Sequence, residues 1–201
     1  MSLRIVCGML GAILVGAVPG FAGAITPGAT WYEFDFGIAT SAAFGCGSAL
    51  AGGTCSTTQN PVADKTNTDP WTFTLASGGS LFVLDLGDVG DRFEVFDNFN
   101  GGGIASIGLT SNVPNLGTNP CGSPGTLDIT CSAGNSAYSN RLYALGAGTH
   151  SITINITQNA LNTSFGQAVF QVTASAVPES STAILMGAGL LALLAARRFR
   201  R

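Results

Sequence analysis

Alternation of apolar and polar residues, with no helical period, orders the middle of this chain. Trp71, Phe73 and Leu75 alternate with Thr72 and Thr74, while Ile152, Ile154 and Ile156 alternate with Ser151, Thr153, Asn155 and Thr157. A period of two turns one set toward a core and the other toward water, as in a strand with one buried and one wet face. Runs of this kind, bounded by Gly, Asn, Asp, Ser and Pro, predict eight strands at 31–36, 71–76, 81–86, 92–97, 104–110, 141–145, 151–157 and 168–174. No stretch of residues 25–176 sustains an amphipathic helical pattern. The expected fold is therefore all-β: an antiparallel β-sandwich, two packed sheets in a jelly-roll-like arrangement. His150 shares the parity of the three isoleucines, which predicts a core-edge residue.

Two connections, 37–70 and 111–140, are too long for hairpins, and each encloses one pair of cysteines. Cys46 and Cys55 have eight residues between them, Cys121 and Cys131 nine. In an oxidising compartment these near-equal spacings favour two local disulfides, although four cysteines formally allow three pairings. A metal site is the other reading of the cysteines. Their spacing is not C-x-x-C and the chain has one histidine, which favours the disulfides.

Both ends of the chain break the alternation with continuous apolar runs. Residues 1–4 carry Arg4, residues 5–18 are apolar, and Ala22-Gly23-Ala24 has the small-residue form of a cleavage site, so 1–24 reads as a signal peptide. Ile25, not a cysteine, follows the site, and an N-terminal lipid is not expected. At the other end, Val177-Pro178-Glu179-Ser180 precedes fourteen apolar residues at 183–196, and Arg197, Arg198, Arg200 and Arg201 close the chain. As a helix these fourteen would span about 21 Å against a hydrocarbon core of roughly 30 Å, a short single transmembrane helix with snorkelling arginines held in the cytoplasm.

This C-terminal order resembles the PEP-CTERM sorting signal: a Val-Pro-Glu-Pro motif, Ser/Thr-rich residues, a Gly-containing apolar helix and an arginine run. Val177, Pro178, Glu179, Thr182, Gly187, Gly189 and the arginine tail match it, and Ser180 stands where the family has its second proline. The stretch LFVLDLGDVGDRFEVFDN and the later GAGTHSITINI and GQAVFQV resemble strands of the same proteins. The resemblance implies passage through the export machinery, transient anchoring in the inner membrane and processing by an exosortase-like enzyme. The destination it implies is the cell surface or extracellular matrix of a Gram-negative bacterium.

Removing both ends leaves residues 25–176, enough for one domain with a real core. That segment holds three basic residues, Lys65, Arg92 and Arg141, against ten acidic ones, a net charge of −7. Nucleic acid is excluded as a partner by that sign. The segment is thinly charged and rich in Gly, Ser, Thr, Asn and Ala, which suits an extracellular β domain.

Three chemistries remain to be weighed. Asp85, Asp88, Asp91, Glu94 and Asp97 recur every third residue, and Asp85, Asp88 and Asp91 are candidate Ca²⁺ ligands if the Gly87 and Gly90 bends bring them together; the other reading is a solvated acidic turn. Trp31 and Tyr138 are carbohydrate-stacking candidates, with Tyr32 and Tyr143 nearby in the pattern; packing in or around the core is the bland alternative. The sequons at Asn155 and Asn162 are neutral in a bacterial protein. No Gly-x-Ser-x-Gly elbow is present, a lone histidine supports no hydrolase triad, and no carboxylate pair stands out, so no enzyme and no obligatory cofactor is expected. The expected role is a structural, exopolysaccharide-associated surface or matrix protein. A carbohydrate-binding module is the alternative, and a polysaccharide hydrolase or lyase the weaker one.

Overall fold

The computed structural model describes residues 23–45, 70–123 and 126–176. The expected signal segment up to residue 22, the Cys46 and Cys55 connection, and the sorting motif with Val177, Pro178, Glu179, Ser180 and its arginine tail lie outside these residues. Among the described residues no helix is long and apolar enough to cross a membrane.

Twelve strands are formed among the described residues: β1 (Gly23–Ala24), β2 (Trp31–Phe36), β3 (Phe44–Gly45), β4 (Trp71–Leu75), β5 (Gly79–Leu86), β6 (Arg92–Asn98), β7 (Ile104–Leu109), β8 (Gly122–Ser123), β9 (Thr126–Leu127), β10 (Asn140–Leu145), β11 (Gly148–Gln158) and β12 (Gly166–Ala174). Each of the eight expected strands is present, with ends that move by at most three residues. The two-residue strands were not expected, because so short a pairing carries no period to read. One helix was also missed: α1 (Ile129–Gly134) starts where Asp128 Oδ1 accepts the Cys131 amide at 2.9 Å, an N-cap inside the long 111–140 connection.

Two five-stranded sheets result, in the orders β1-β4-β11-β6-β7 and β10-β5-β12-β2-β3, with β8-β9 a separate ribbon. Every strand pairing is antiparallel except the short β1–β4 contact. Counting only the eight long strands along the chain, the sheets read second-seventh-fourth-fifth and sixth-third-eighth-first. Each connection between consecutive long strands therefore passes from one sheet to the other, except the β6–β7 hairpin. Where β7 and β10 lie side by side, Arg141 Nη1 donates to the Leu109 carbonyl at 2.9 Å and Tyr143 Oη to that of Gly108 at 3.1 Å, joining the two sheets.

The core lies between the sheets. Phe34 of one sheet stands 5.9 Å from the Trp71 ring and 5.4 Å from the Phe93 ring of the other, with Phe170 and Phe36 beside it. Ile152, Ile154 and Ile156 complete this cluster as the alternation predicted. The rings are large apolar bodies in edge and tilted contacts, so each contributes dispersion and burial to both sheets at once.

The sheet containing β5, β12 and β2 departs from the expected single wet face. Leu84, Leu86 and Val169 on its outer surface are buried beneath Val89, Ile129 and Tyr138, with Trp31, Phe82, Cys121 and Ala137 packed around them. The 111–140 connection is thus a lid with its own small core. The disulfide Cys121–Cys131, with Cα atoms 5.5 Å apart, closes that lid. The partner expectation, Cys46 with Cys55, lies outside the described residues.

Candidate functional site

Each interior end of the sandwich carries buried carboxylates, and the two ends are neutralised differently. At one end Asp97 of β6 has the parity of Phe93 and Val95 and so faces inward; its register partner on β11 is Ile152, and His150, two residues along, lies diagonal to it. His150 Nδ1 lies 2.7 Å from Asp97 Oδ2, and Nε2 lies 3.1 Å from the Gly146 carbonyl. The Ser151 amide donates to Asp97 Oδ1 at 3.2 Å. A carbonyl only accepts, so the Nε2 contact is made by a ring N–H. The ring is stacked on Phe73 and tilted against Phe99, and only 1% of the residue is exposed. With both nitrogens engaged and no access to solvent, His150 is a structural plug, in keeping with its parity.

The other end holds Asp85 and Asp91. In the paired row Phe34–Ala168–Asp85, Phe34 and Ala168 face the core, and register places Asp85 on the same side. Asp91, two residues before Phe93, approaches from the opposite sheet. Asp85 is 0% exposed and neither of its oxygens has a hydrogen-bond partner. The amides of Gly90, Ser139 and Asp91 lie close enough to favour its charged form, but burial and then the Asp91 charge outweigh them and hold the carboxyl well above the usual range. Asp91 Oδ1 accepts the Ala160 amide at 2.6 Å; burial, with a smaller contribution from Asp88, pushes this carboxyl up to about 7.

The turn between them is held from three sides. The Val89 amide donates to Thr118 O at 2.7 Å, the Gly117 amide donates to Val89 O at 3.0 Å, and Gln158 Nε2 donates to Gly90 O at 2.7 Å. Gly90 has φ +129°, and a β-carbon there would come within 2.7 Å of Asn115 Oδ1. Of the three proposed calcium ligands, Asp85 and Asp91 are therefore directed into the same interior end. Asp88 remains in the turn, and among the described residues no three metal-ligating side chains converge.

Tyr138 is not available for stacking on a sugar. It is fully buried in the lid, with Oη 3.0 Å from both the Gly87 carbonyl and Asn119 Oδ1 and accepting the Cys121 amide at 3.2 Å. Its alternation-free neighbourhood hid this, because burial comes from the folding back of a loop. Trp31 is half-buried, its ring 5.9 Å from Phe82 on the outer face. Tyr32 and Tyr143 belong to the main core. Asn155 sits mid-strand opposite Glu94, and Asn162 is an exposed turn residue at φ +63°.

A second pair of acids was missed. Glu33 and Asp35 alternate with Tyr32, Phe34 and Phe36, which puts both on the outer face of β2. Asp35 lines a cleft of about 180 Å³ together with Phe44, Phe165 and Gln167, and Phe165 at its rim is 75% exposed. Burial, then the Glu33 charge, push Asp35 up to about 7 against a lowering hydrogen bond from Gln167. Successive same-face residues stand roughly 7 Å apart, a spacing glycosidases use. Glu33, however, is 0% exposed, so a polysaccharide chain does not reach it. The signal in the sequence was the Trp-Tyr-Glu-Phe-Asp-Phe alternation itself, with two acids on one face.

The chain matches no protein-family model, no curated protein and no solved structure.

Proposed function

We propose that this chain is an exported jelly-roll β-sandwich, delivered by a C-terminal sorting signal of the PEP-CTERM type to an exosortase-like enzyme. It serves as a non-enzymatic surface or matrix component associated with exopolysaccharide. The observation that carries this reading is the order of the C-terminal sequence, Val177-Pro178-Glu179, an apolar run, then Arg197, Arg198, Arg200 and Arg201. The Cys121–Cys131 disulfide supports an oxidising destination, and the strand order of the two sheets supports the jelly-roll topology. Full engagement of the lone histidine's ring nitrogens supports a role without acid–base chemistry.

Mass spectrometry of the protein from envelope and matrix fractions of its native host tests the reading. The expected mature chain begins at Ile25 and ends near the Pro178-Glu179 motif, while a host lacking the sorting enzyme retains the full tail in its inner membrane. Recovery of the intact chain from the cytosol, with Cys121 and Cys131 reduced, would refute it.

Carbohydrate recognition is the second reading, and the observation that favours it is the cleft beside Asp35. An exposed aromatic ring, Phe165, adjoins the polar side chains of Asp35 and Gln167 there, the combination that stacks and hydrogen-bonds a sugar.

A further inference from the structure

The contrast between the two interior ends points to a missing positive charge. Asp97 has His150 as its partner, with Nδ1 2.7 Å from Oδ2. The Asp91 charge acts on Asp85 across the other end, and no ion pair to either is found among the described residues. Their like charges repel across a medium of low effective dielectric, and two uncompensated carboxylates in that position are costly. Neither oxygen of Asp85 makes a hydrogen bond of normal geometry, although the Gly90, Ser139 and Asp91 amides lie near it.

We propose that Asp85 and Asp91 hold one calcium ion at this end of the sandwich, bridging the two sheets. The donor set is all oxygen, which selects a hard cation. Two carboxylates are matched by a charge of +2, whereas a monovalent ion leaves one negative charge uncompensated. Magnesium demands near-ideal octahedral geometry and gives up its water reluctantly, while calcium accepts irregular sets of carboxylates, carbonyls and retained water. Asp85 contributes two unpartnered oxygens, and Asp91 contributes Oδ2 because Oδ1 is committed to the Ala160 amide. Gly166 lets β12 approach Asp91 closely, since a β-carbon there would meet the Phe36 ring and stand 3.0 Å from Oδ2. Asp88 adds negative potential from the turn without joining the ligands.

The test uses the purified full-length chain in detergent, stripped with a chelator and dialysed, then titrated with CaCl₂, MgCl₂ or NaCl at matched ionic strength. Bound calcium per chain is counted by elemental analysis after gel filtration, and melting is followed by circular dichroism. One calcium per chain is expected, with Tm raised by about 5–10 °C at a hundredfold excess over Kd. Asp85→Asn and Asp91→Asn should lose both effects, while Asp88→Asn retains them. In chelator, Asp85→Asn should melt no lower than the parent chain, because it deletes a buried uncompensated charge; this separates loss of binding from loss of fold. The proposal is overturned if the parent chain binds no calcium at about 10 mM, above the usual range of extracellular sites. It is equally overturned if Asp85→Asn keeps the shift, or if magnesium or sodium reproduces it.

Discussion

Replacing Asp35 by Asn isolates the energetic consequence of burying an acid on the outer face of β2. The folded-state carboxyl titrates at about 7 against an ordinary value of 3.8, chiefly because burial disfavours its charge and next because Glu33 adds a like charge. A raised value means that the folded chain keeps a proton that the unfolded chain has released. The associated stability is fully present below 3.8 and is lost as pH rises to about 7, after which it stays constant. Three units at about 1.4 kcal/mol each set a ceiling near 4 kcal/mol. Asp35 borders a cleft open to water and accepts a hydrogen bond from Gln167, so screening reduces the realised change to about 1–2 kcal/mol. Asn resembles the protonated carboxyl and does not titrate. Urea unfolding followed through Trp31 and Trp71 should therefore show parent and variant within about 0.5 kcal/mol at pH 4, with the variant about 1–2 kcal/mol more stable at pH 8. Asp85 and Asp91 impose the same direction on the parent's own curve, which is why the difference between the chains is the quantity to plot. A difference that stays flat from pH 4 to 8, or that favours the parent at high pH, would refute the argument.

Three further outcomes follow from the geometry. Asp97→Ala strands His150 without its charged partner and should cost about 3–5 kcal/mol in urea unfolding, with at least half recovered by adding His150→Leu; a loss under about 1 kcal/mol would remove the pair from the list of structural plugs. Cys131→Ser opens a ten-residue loop and should cost roughly 2–3 kcal/mol, read by hydrogen exchange as lost protection across the lid while β11 amides stay protected. If the cleft beside Asp35 binds sugar, Phe165→Ala abolishes retention on exopolysaccharide and Tyr138→Phe leaves it unchanged; retention by Phe165→Ala excludes that surface.

The strands were legible because their apolar period is local. Ile152, Ile154 and Ile156 needed only their neighbours to declare a core face, and His150 followed from the same parity. What lay beyond local pattern was the second burial of one sheet. Leu84, like Leu86 and Val169, stands on a face that any period-two reading assigns to water. Leu84 is covered because the 111–140 connection, pinned by Cys121–Cys131, folds back over part of that face. Tyr138 was misjudged for the same reason: a tyrosine in a Gly/Ser/Asn-rich connection shows no sign of its partners Gly87 and Asn119. The acidic series was read more nearly, since Asp85 and Asp91 do converge. Separating them from Asp88 required the register that sends Asp85 inward beside Phe34 and Ala168.

The two features that brace the sandwich beyond its aromatic core share a requirement. The lid depends on an oxidised Cys121–Cys131 bond, and the proposed bridge between Asp85 and Asp91 depends on a divalent cation. Oxidising conditions and calcium are both plentiful outside the cytoplasm and scarce within it. The domain holds three basic residues against ten acidic ones, so it has few cations of its own with which to neutralise interior carboxylates, and the lone histidine is already committed to Asp97. A chain of this composition gains its last increments of stability from its surroundings. Retained in a reducing, calcium-poor compartment, it should stay loosely held at the lid and at the Asp85 end, a state compatible with passage through an export channel. Under the proposed sorting, delivery to the surface would then complete the fold at both places at once.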